Sequence, residues 1–336
     1  MLHLRNSLSL DLLRISRDPA SMTKHLHMAV DADVEEAARL LRVGELVAFQ
    51  TETVYGLGAD ATNETAVAKI YAAKERPSFN PLISHVSSIE AAFELGEATP
   101  TAEKVAEAFW PGPLTLVLKR KADCPIAWLT SSGLETIALR VPRSEAARVL
   151  LQRVGRPVAA PSANRSGRIS PTSAAHVLSE LERRIAAILD GGACSVGLES
   201  TVIDLSGEAV RLLRPGAVTR EMLEAEIGPV QSAAPDGTLV APGMMESHYA
   251  PNAAVRLDAV ERRDDEAFLD FGGQVAGADL DLSRSGDLVE AAANLFGMLR
   301  TLDEDGALTI AVAPIPAVRL GEAIRDRLQR AAAPRP

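Results

Sequence analysis

From residue 29 onward, short unbroken apolar runs alternate with segments whose apolar residues recur at helical spacing, and this alternation leaves few folds open. Val34 to Leu41 carries helical spacing, with Gly44 placed to stop the helix, and Leu46-Val47-Ala48-Phe49 then reads as a buried strand. Thr65 to Lys74 puts Val67, Ile70 and Tyr71 on one helical face, and Pro77 ends it. The same reading predicts strands at Leu82–Val86, Leu114–Leu118, Ile137–Val141, Val158–Ala160, Ala186–Leu189, Thr201–Leu205 and Val210–Leu213. Helices fit between them at Thr101–Phe109, Glu145–Val154, Ser173–Arg184 and Arg220–Ile227. Several strand pairs lie too close for helical crossovers, so the sheet is expected to be mixed rather than purely parallel.

Gln231 to Pro251 breaks this composition with Pro, Gly, Ser and Ala and reads as an interdomain linker. Beyond it, strands are predicted at Val255–Leu257, Ala267–Phe271 and Leu308–Ala313, and amphipathic helices at Leu288–Leu302 and Val318–Arg330. The expected plan is a poorly ordered extension over 1–27, an α/β domain over 28–229, a linker over 230–251 and a small α/β domain over 252–333. Arg5, Arg14, Arg17, Asp11 and Asp18 interrupt every apolar run of the first 27 residues, which leaves no signal-peptide core there. No stretch reaches the roughly 18 to 20 apolar residues of a membrane helix, so no membrane association is expected. A net charge of −10 argues against a surface that grips nucleic acid throughout. The two cysteines, Cys124 and Cys194, lack metal spacing and fit buried free thiols in a reducing cytoplasm.

Chemistry-bearing residues gather at predicted strand ends. Gln50-Thr-Glu-Thr-Val-Tyr-Gly-Leu-Gly58 leaves a strand for a Gly-rich turn, where Gly56 and Gly58 allow close approach or positive φ and Thr51, Thr53 and Tyr55 offer hydroxyls. Turn-capping hydroxyls explain that segment equally well. Lys74 and Arg76 near a helix end complement its dipole, yet with Asn80 in the following rigid loop they also read as a phosphate clamp. His85 sits on a strand, where a structural histidine is the commoner case. Arg140, inside an apolar run, needs an anionic partner: a substrate carboxylate, an internal acid, or solvent. Ser162 and Asn164 lead a hydroxyl, amide and glycine loop, and Ser170 precedes a helix start. Glu199-Ser200-Thr201 and Arg214-Pro-Gly-Ala217 flank further strands, and no Walker or Rossmann glycine pattern occurs.

Taken in order, these segments resemble the threonylcarbamoyl-AMP synthase, or YrdC-like, family: Thr-Glu-Thr-Val-Tyr-Gly-Leu-Gly, Lys-x-Arg-Pro, Pro-Leu-Ile-x-His, Trp110-Pro-Gly-Pro-Leu-Thr115, Arg-x-Pro, Pro-Ser-x-Asn-x-Ser-Gly, Glu-Ser-Thr-Val and Arg-Pro-Gly-Ala. The resemblance covers residues 29 to 228. Ser247-His-Tyr-Ala-Pro251 and Gly321-Glu-Ala-Ile-Arg-Asp-Arg-Leu328 extend it to the longer, two-domain members. Two departures stand out: Gln50 where the family has Pro, expected to alter stiffness more than chemistry, and Met244-Met-Glu-Ser247 where many members carry basic residues.

The resemblance implies a twisted mixed-sheet α/β catalytic domain followed by a small Rossmann-like α/β domain. It implies synthesis of L-threonylcarbamoyl-AMP and pyrophosphate from L-threonine, bicarbonate or CO2, and ATP, the first step of N6-threonylcarbamoyladenosine formation in tRNA. On that pattern Lys74, Arg76, Ser162 and Asn164 hold the ATP phosphates and serve catalysis. Asn80, Thr136, Ser170, Arg214 and Tyr249 match further ATP contacts, and Thr53, His85, Arg140, Ala160 and Ser200 match the threonine pocket. Mg2+ is expected on the phosphates rather than on protein side chains. A downstream tRNA threonylcarbamoyl transferase complex, and weak contact with tRNA, are the partners implied. The competing readings are an RNA-binding module without catalysis and carbamoyl-adenylate chemistry on another acceptor.

Overall fold

The computed structural model describes residues 22–77, 80–233 and 248–334. The chain enters with β1 (Lys24–His27), α1 (Asp31–Arg42), β2 (Val47–Phe49), β3 (Gly56–Asp60), α2 (Glu64–Lys74) and β4 (Ile83–His85). It continues through α3 (Ile89–Leu95), α4 (Pro100–Phe109), β5 (Leu114–Lys119), a 3-10 turn at Trp128–Ser131, β6 (Thr136–Arg140) and α5 (Glu145–Val154). The first domain closes with β7 (Val158–Ala159), α6 (Ala174–Leu181), β8 (Ala187–Asp190), β9 (Thr201–Asp204), β10 (Arg211–Arg214), α7 (Arg220–Ile227) and β11 (Gln231–Ser232).

Among the described residues these eleven strands form one sheet, in the order β1-β8-β2-β3-β7-β4-β6-β5-β9-β10-β11. The sheet is mixed: β4 runs parallel to β6 and β5 to β9, whereas β7 opposes both β3 and β4 and β6 opposes β5. Alternation along β2 shows why its sequence is uniformly apolar. Val47 and Phe49 pack with α1 and α5 on one face, Leu46 and Ala48 with residues of α2, α4 and α6 on the other.

The second domain comprises β12 (Ala254–Arg256), β13 (Glu266–Asp270), β14 (Leu280–Asp281), α8 (Leu288–Glu304), β15 (Thr309–Val312) and α9 (Leu320–Ala332), its all-parallel sheet ordered β12-β15-β13-β14. Its apolar core does not stop at the domain boundary. Val54, Ile169 and Leu198 of the first domain belong to the same cluster as Leu295, Phe296 and Ile324. Among the described residues no helix is long and apolar enough to cross a membrane.

Four expectations change. The folded chain does not begin at Met28: β1 pairs in parallel with β8, and Thr23 donates its hydroxyl to Ile185 O at 3.0 Å. An edge strand that buries only Leu26 gives almost no apolar signal. Gln231 and Ser232, expected in the linker, pair with β10; most of the remaining linker, including Met244 to Ser247, lies outside the described residues. The helix predicted over Ser173–Arg184 ends at Leu181, and Arg183 takes a left-handed φ of 62°. Gly56 and Gly58 form strand rather than turn. Their use is close approach, because a Cβ on Gly58 would lie 2.9 Å from the Phe49 ring and 3.1 Å from Val47 O.

Gly197 governs the seating of the second domain. Its φ is +76°, and an added Cβ would meet Ala293 Cα at 2.5 Å and Ala292 O at 2.6 Å, both backbone atoms of α8. Gly197→Ala is therefore expected to cost about 1–3 kcal/mol through overpacking and a strained φ. Denaturant unfolding should show a lower midpoint; an unchanged midpoint would mean that α8 does not rest on this glycine.

Candidate active site

The segment after β2 is knotted by its own hydroxyls. Thr51 Oγ1 donates to Val54 O at 2.6 Å and accepts the Thr53 and Val54 N–H groups, so the chain doubles back and holds Thr53 still. Gln50, in place of proline, stiffens the same turn by hydrogen bonds, its side chain reaching Ser144 Oγ and, at 3.3 Å, Ala193 O. Glu52 is 3% exposed and spends both carboxylate oxygens: Oε1 accepts from Arg140 at 2.6 Å, and Oε2 takes the N–H groups of Arg143 and Ser144 at 3.0 and 3.1 Å, ahead of α5.

Arg140 closes β6 beside His85, its register partner on β4. The guanidinium donates to Glu52, to Thr53 Oγ1 at 2.9 Å and to Gly112 O at 3.3 Å, three of its five N–H groups. Of the answers the sequence left open, the structure supplies an internal acid. Burial would raise the Glu52 carboxyl, but the Arg140 charge and the surrounding hydrogen bonds outweigh it and hold the pKa below the usual carboxylate range. His85 is pushed down to about 3, first by burial and then by the Arg140 charge, and its Nδ1 has no partner among the described residues.

A second set of cations lies close by. Arg76, at the end of α2, donates to Asn80 O and Pro81 O at 3.3–3.4 Å, and burial lowers its pKa to about 10. Lys74 is 1% exposed and donates to the Ser162 carbonyl at 2.6 Å and to that of Asn164, which fixes the Ser162–Asn164 loop from behind. Its pKa is driven well down by burial and by the Arg76 charge. Arg214 bonds Ser200 twice, Nε to O at 2.9 Å and Nη2 to Oγ at 3.1 Å, and Ser200 Oγ also meets Thr115 Oγ1 at 2.8 Å. His248 is depressed by burial and then by Arg76, Lys74 and Arg214. So many buried cations repelling one another mark a space organised for an anion.

That space is a cavity of about 40 Å3, room for a few water molecules, walled by Thr51, Thr53, His85, Arg140, Ala160, Ser162, Ser200, Arg214, Arg76, Glu199, His248 and Tyr249 among others. It gathers all five residues expected of the threonine pocket, Thr53, His85, Arg140, Ala160 and Ser200. Of the residues expected around ATP, Arg76, Ser162, Arg214 and Tyr249 line it, while Lys74, Asn80, Asn164 and Ser170 do not. The side-chain amide atoms of Asn80 are buried with no partner among the described residues, as is Asn164 Oδ1. Ser170 bonds Glu199. Thr136 stands half-buried at the start of β6, paired with Lys119, and does not line the cavity. Sequence reasoning missed Glu52, Thr115 and Glu199 as site residues. An Arg buried in an apolar run calls for an acid, and Glu52 in the neighbouring motif was the one at hand.

A family model described as "Telomere recombination" matches residues 39–216, and one described as "Threonylcarbamoyl-AMP synthase, C-terminal domain" matches residues 218–333. The chain is 42% identical to the threonylcarbamoyl-AMP synthase of Bacillus subtilis, over 90% of this chain and 93% of that one. It is 43% identical to the threonylcarbamoyl-AMP synthase of Pyrococcus abyssi, over 88% and 92% of the two. A crystal structure of P. abyssi Sua5 complexed with L-threonine superposes with a TM-score of 0.85 at 38% identity, over 93% of this chain and 98% of that one.

His85 also sets a pH dependence. Neutral when folded, with a pKa of about 3, it would take up a proton on unfolding anywhere below its ordinary value of 6.5. Stability is therefore flat in this term above pH 6.5 and falls as pH drops from 6.5 toward 3. Urea unfolding between pH 7 and 4.5 should show a shallower decline for His85→Asn than for the parent, by one proton's slope. Identical slopes would show that His85 is not held neutral.

Proposed function

The chain belongs to the threonylcarbamoyl-AMP synthase family, and we propose that it makes L-threonylcarbamoyl-AMP and pyrophosphate from L-threonine, bicarbonate or CO2, and ATP, the first step of N6-threonylcarbamoyladenosine modification of tRNA. One observation carries this reading: one cavity puts an Arg140–Thr53–His85 group, fit for an amino acid's carboxylate and small side chain, against the Arg76, Arg214 and Ser162 group, fit for phosphate oxygens. The P. abyssi relative binds L-threonine.

In this reading Arg140 uses its two remaining N–H groups on the threonine carboxylate, with Glu52 and Thr53 fixing its orientation. The threonine amine adds to the carbon of CO2, losing a proton, and gives a carbamate. A carbamate oxygen then attacks the α-phosphorus of ATP, the bond to the bridging oxygen breaks, and pyrophosphate leaves. No protein nucleophile is needed. The chain's contribution is to hold the partners in line, shield a carbamate that reverts to amine and CO2 on protonation and an acyl phosphate that hydrolyses, and answer the charge on the phosphates. Arg76 and Arg214 face that charge directly, and Lys74 acts through the loop of Ser162 and Asn164. Ser170, Asn80, Tyr249 and Thr136 are assigned to the nucleotide on the family pattern; the Tyr249 hydroxyl on the cavity wall and the Asn80 amide behind it are buried with no partner among the described residues.

Mg2+ enters as the counter-ion of the triphosphate substrate. The carboxylate on the cavity wall, Glu199, is already taken by Arg327 and Ser170, and no cluster of three metal-ligating side chains occurs among the described residues. The product passes to a tRNA threonylcarbamoyl transferase complex, and the two buried free thiols fit a reducing cytoplasm.

Pyrophosphate release should require threonine and bicarbonate together, with the adduct identified by its mass; release that ignores either one would refute the reaction. Arg76→Ala is expected to lower the rate by about 10²–10³, as loss of a charge-stabilising donor does elsewhere. Near-parental turnover would remove Arg76 from its role.

A further inference from the structure

α9 carries a buried residue most of whose hydrogen bonds leave its own domain. Leu320, Ala323, Ile324, Leu328 and Ala331 form the buried stripe of the helix, and Arg327 stands within that stripe with its side chain 0% exposed. An unpaired guanidinium there would be prohibitively costly; Nη1 meets the neighbouring Asp326 Oδ2 at 2.8 Å, and the other partners lie in the first domain. Nε donates to Glu199 Oε2 at 2.9 Å, Nη2 to Glu199 O at 3.3 Å and Nη1 to Pro215 O at 2.8 Å. The same guanidinium lies 5.4 Å from the centre of the Tyr249 ring.

Glu199 and Pro215 each precede or follow a residue of the cavity wall, Ser200 and Arg214, which are themselves bonded to each other. The two loops touch backbone to backbone: a Cβ on Gly216 would lie 2.4 Å from Thr201 N and 2.8 Å from Glu199 O. One side chain therefore ties both loops, and Tyr249, to the second domain. We propose that Arg327 is a positioning residue, through which the C-terminal domain sets the Ser200–Arg214 wall where the threonine and phosphate groups of the cavity meet. A planar fork with five donors can reach a carboxylate and two carbonyls at once, which an ammonium cannot.

The proposal rests on the threonylcarbamoyl-AMP reading, and the test separates the two. Full-length Arg327→Met and Arg327→Lys are compared with the parent by threonine- and bicarbonate-dependent pyrophosphate release, with thermal unfolding to certify folding. The expected result is a fall in kcat/KM on the order of 10²-fold for Arg327→Met, as for misplaced catalytic groups. KM for threonine should rise in both variants. Arg327→Lys keeps the charge beside Glu199, is expected to fold, and decides the matter if Arg327→Met does not. Folded variants whose kcat and KM values stay within twofold of the parent, with only the melting temperature lowered, would overturn the proposal and leave the activity standing. A parent without threonine-dependent turnover would overturn both.

Discussion

Lys74, Arg76, Arg140, Arg214 and Arg327 are all buried, and each cation taken out of water costs several kcal/mol unless hydrogen bonds and opposite charge answer it. Much of the site's architecture is the answer. Glu52 meets Arg140 and Glu199 meets Arg327, while backbone carbonyls meet Lys74 and Arg76. The compensation is partial, and that is its use. Lys74, Arg76 and Arg214 all have depressed pKa values, with burial the leading cause; Arg76 and Arg214 stand on the cavity wall, and Lys74 braces the Ser162–Asn164 loop from behind.

A mixed sheet makes this arrangement reachable. Because β4 and β6 run parallel, His85 and Arg140 sit side by side in register. The strand between β3 and β4, β7, opposes both and delivers Ala160 and Ser162 to the same wall. The glycines of β3 let Phe49, Val158 and Ala160 press close. The second domain is then no appendage: its apolar core continues into Val54, Ile169 and Leu198, and its buried arginine grips the loops that form one side of the cavity.

Where legibility failed, the reason was physical. β1 and β11 are edge strands, and β11 is exposed throughout, so neither produces the apolar run by which a strand is recognised. The short helix Ile89–Leu95 and the strand Leu280–Asp281 are too brief to establish a period. At the site, motif order located nine of the fourteen expected residues on the cavity wall and the loops behind it for most others, but Thr136 stands apart. Glu52 and Glu199 lie inside segments whose hydroxyls carry the stronger sequence signal. An acid's role is invisible until its cation is known to be near.

The sequence by itself determined the alternation of elements, the two-domain plan and the ordered motifs that place the chain in its family, because periodicity and motif spacing are local properties of a chain. Only the tertiary structure decided which acid answers which cation. Glu52 pairs with a residue 88 positions away and Glu199 with one 128 positions away. Those meetings depend on the strand order of the sheet and on the docking of α9, which many weak contacts determine together and no local pattern records.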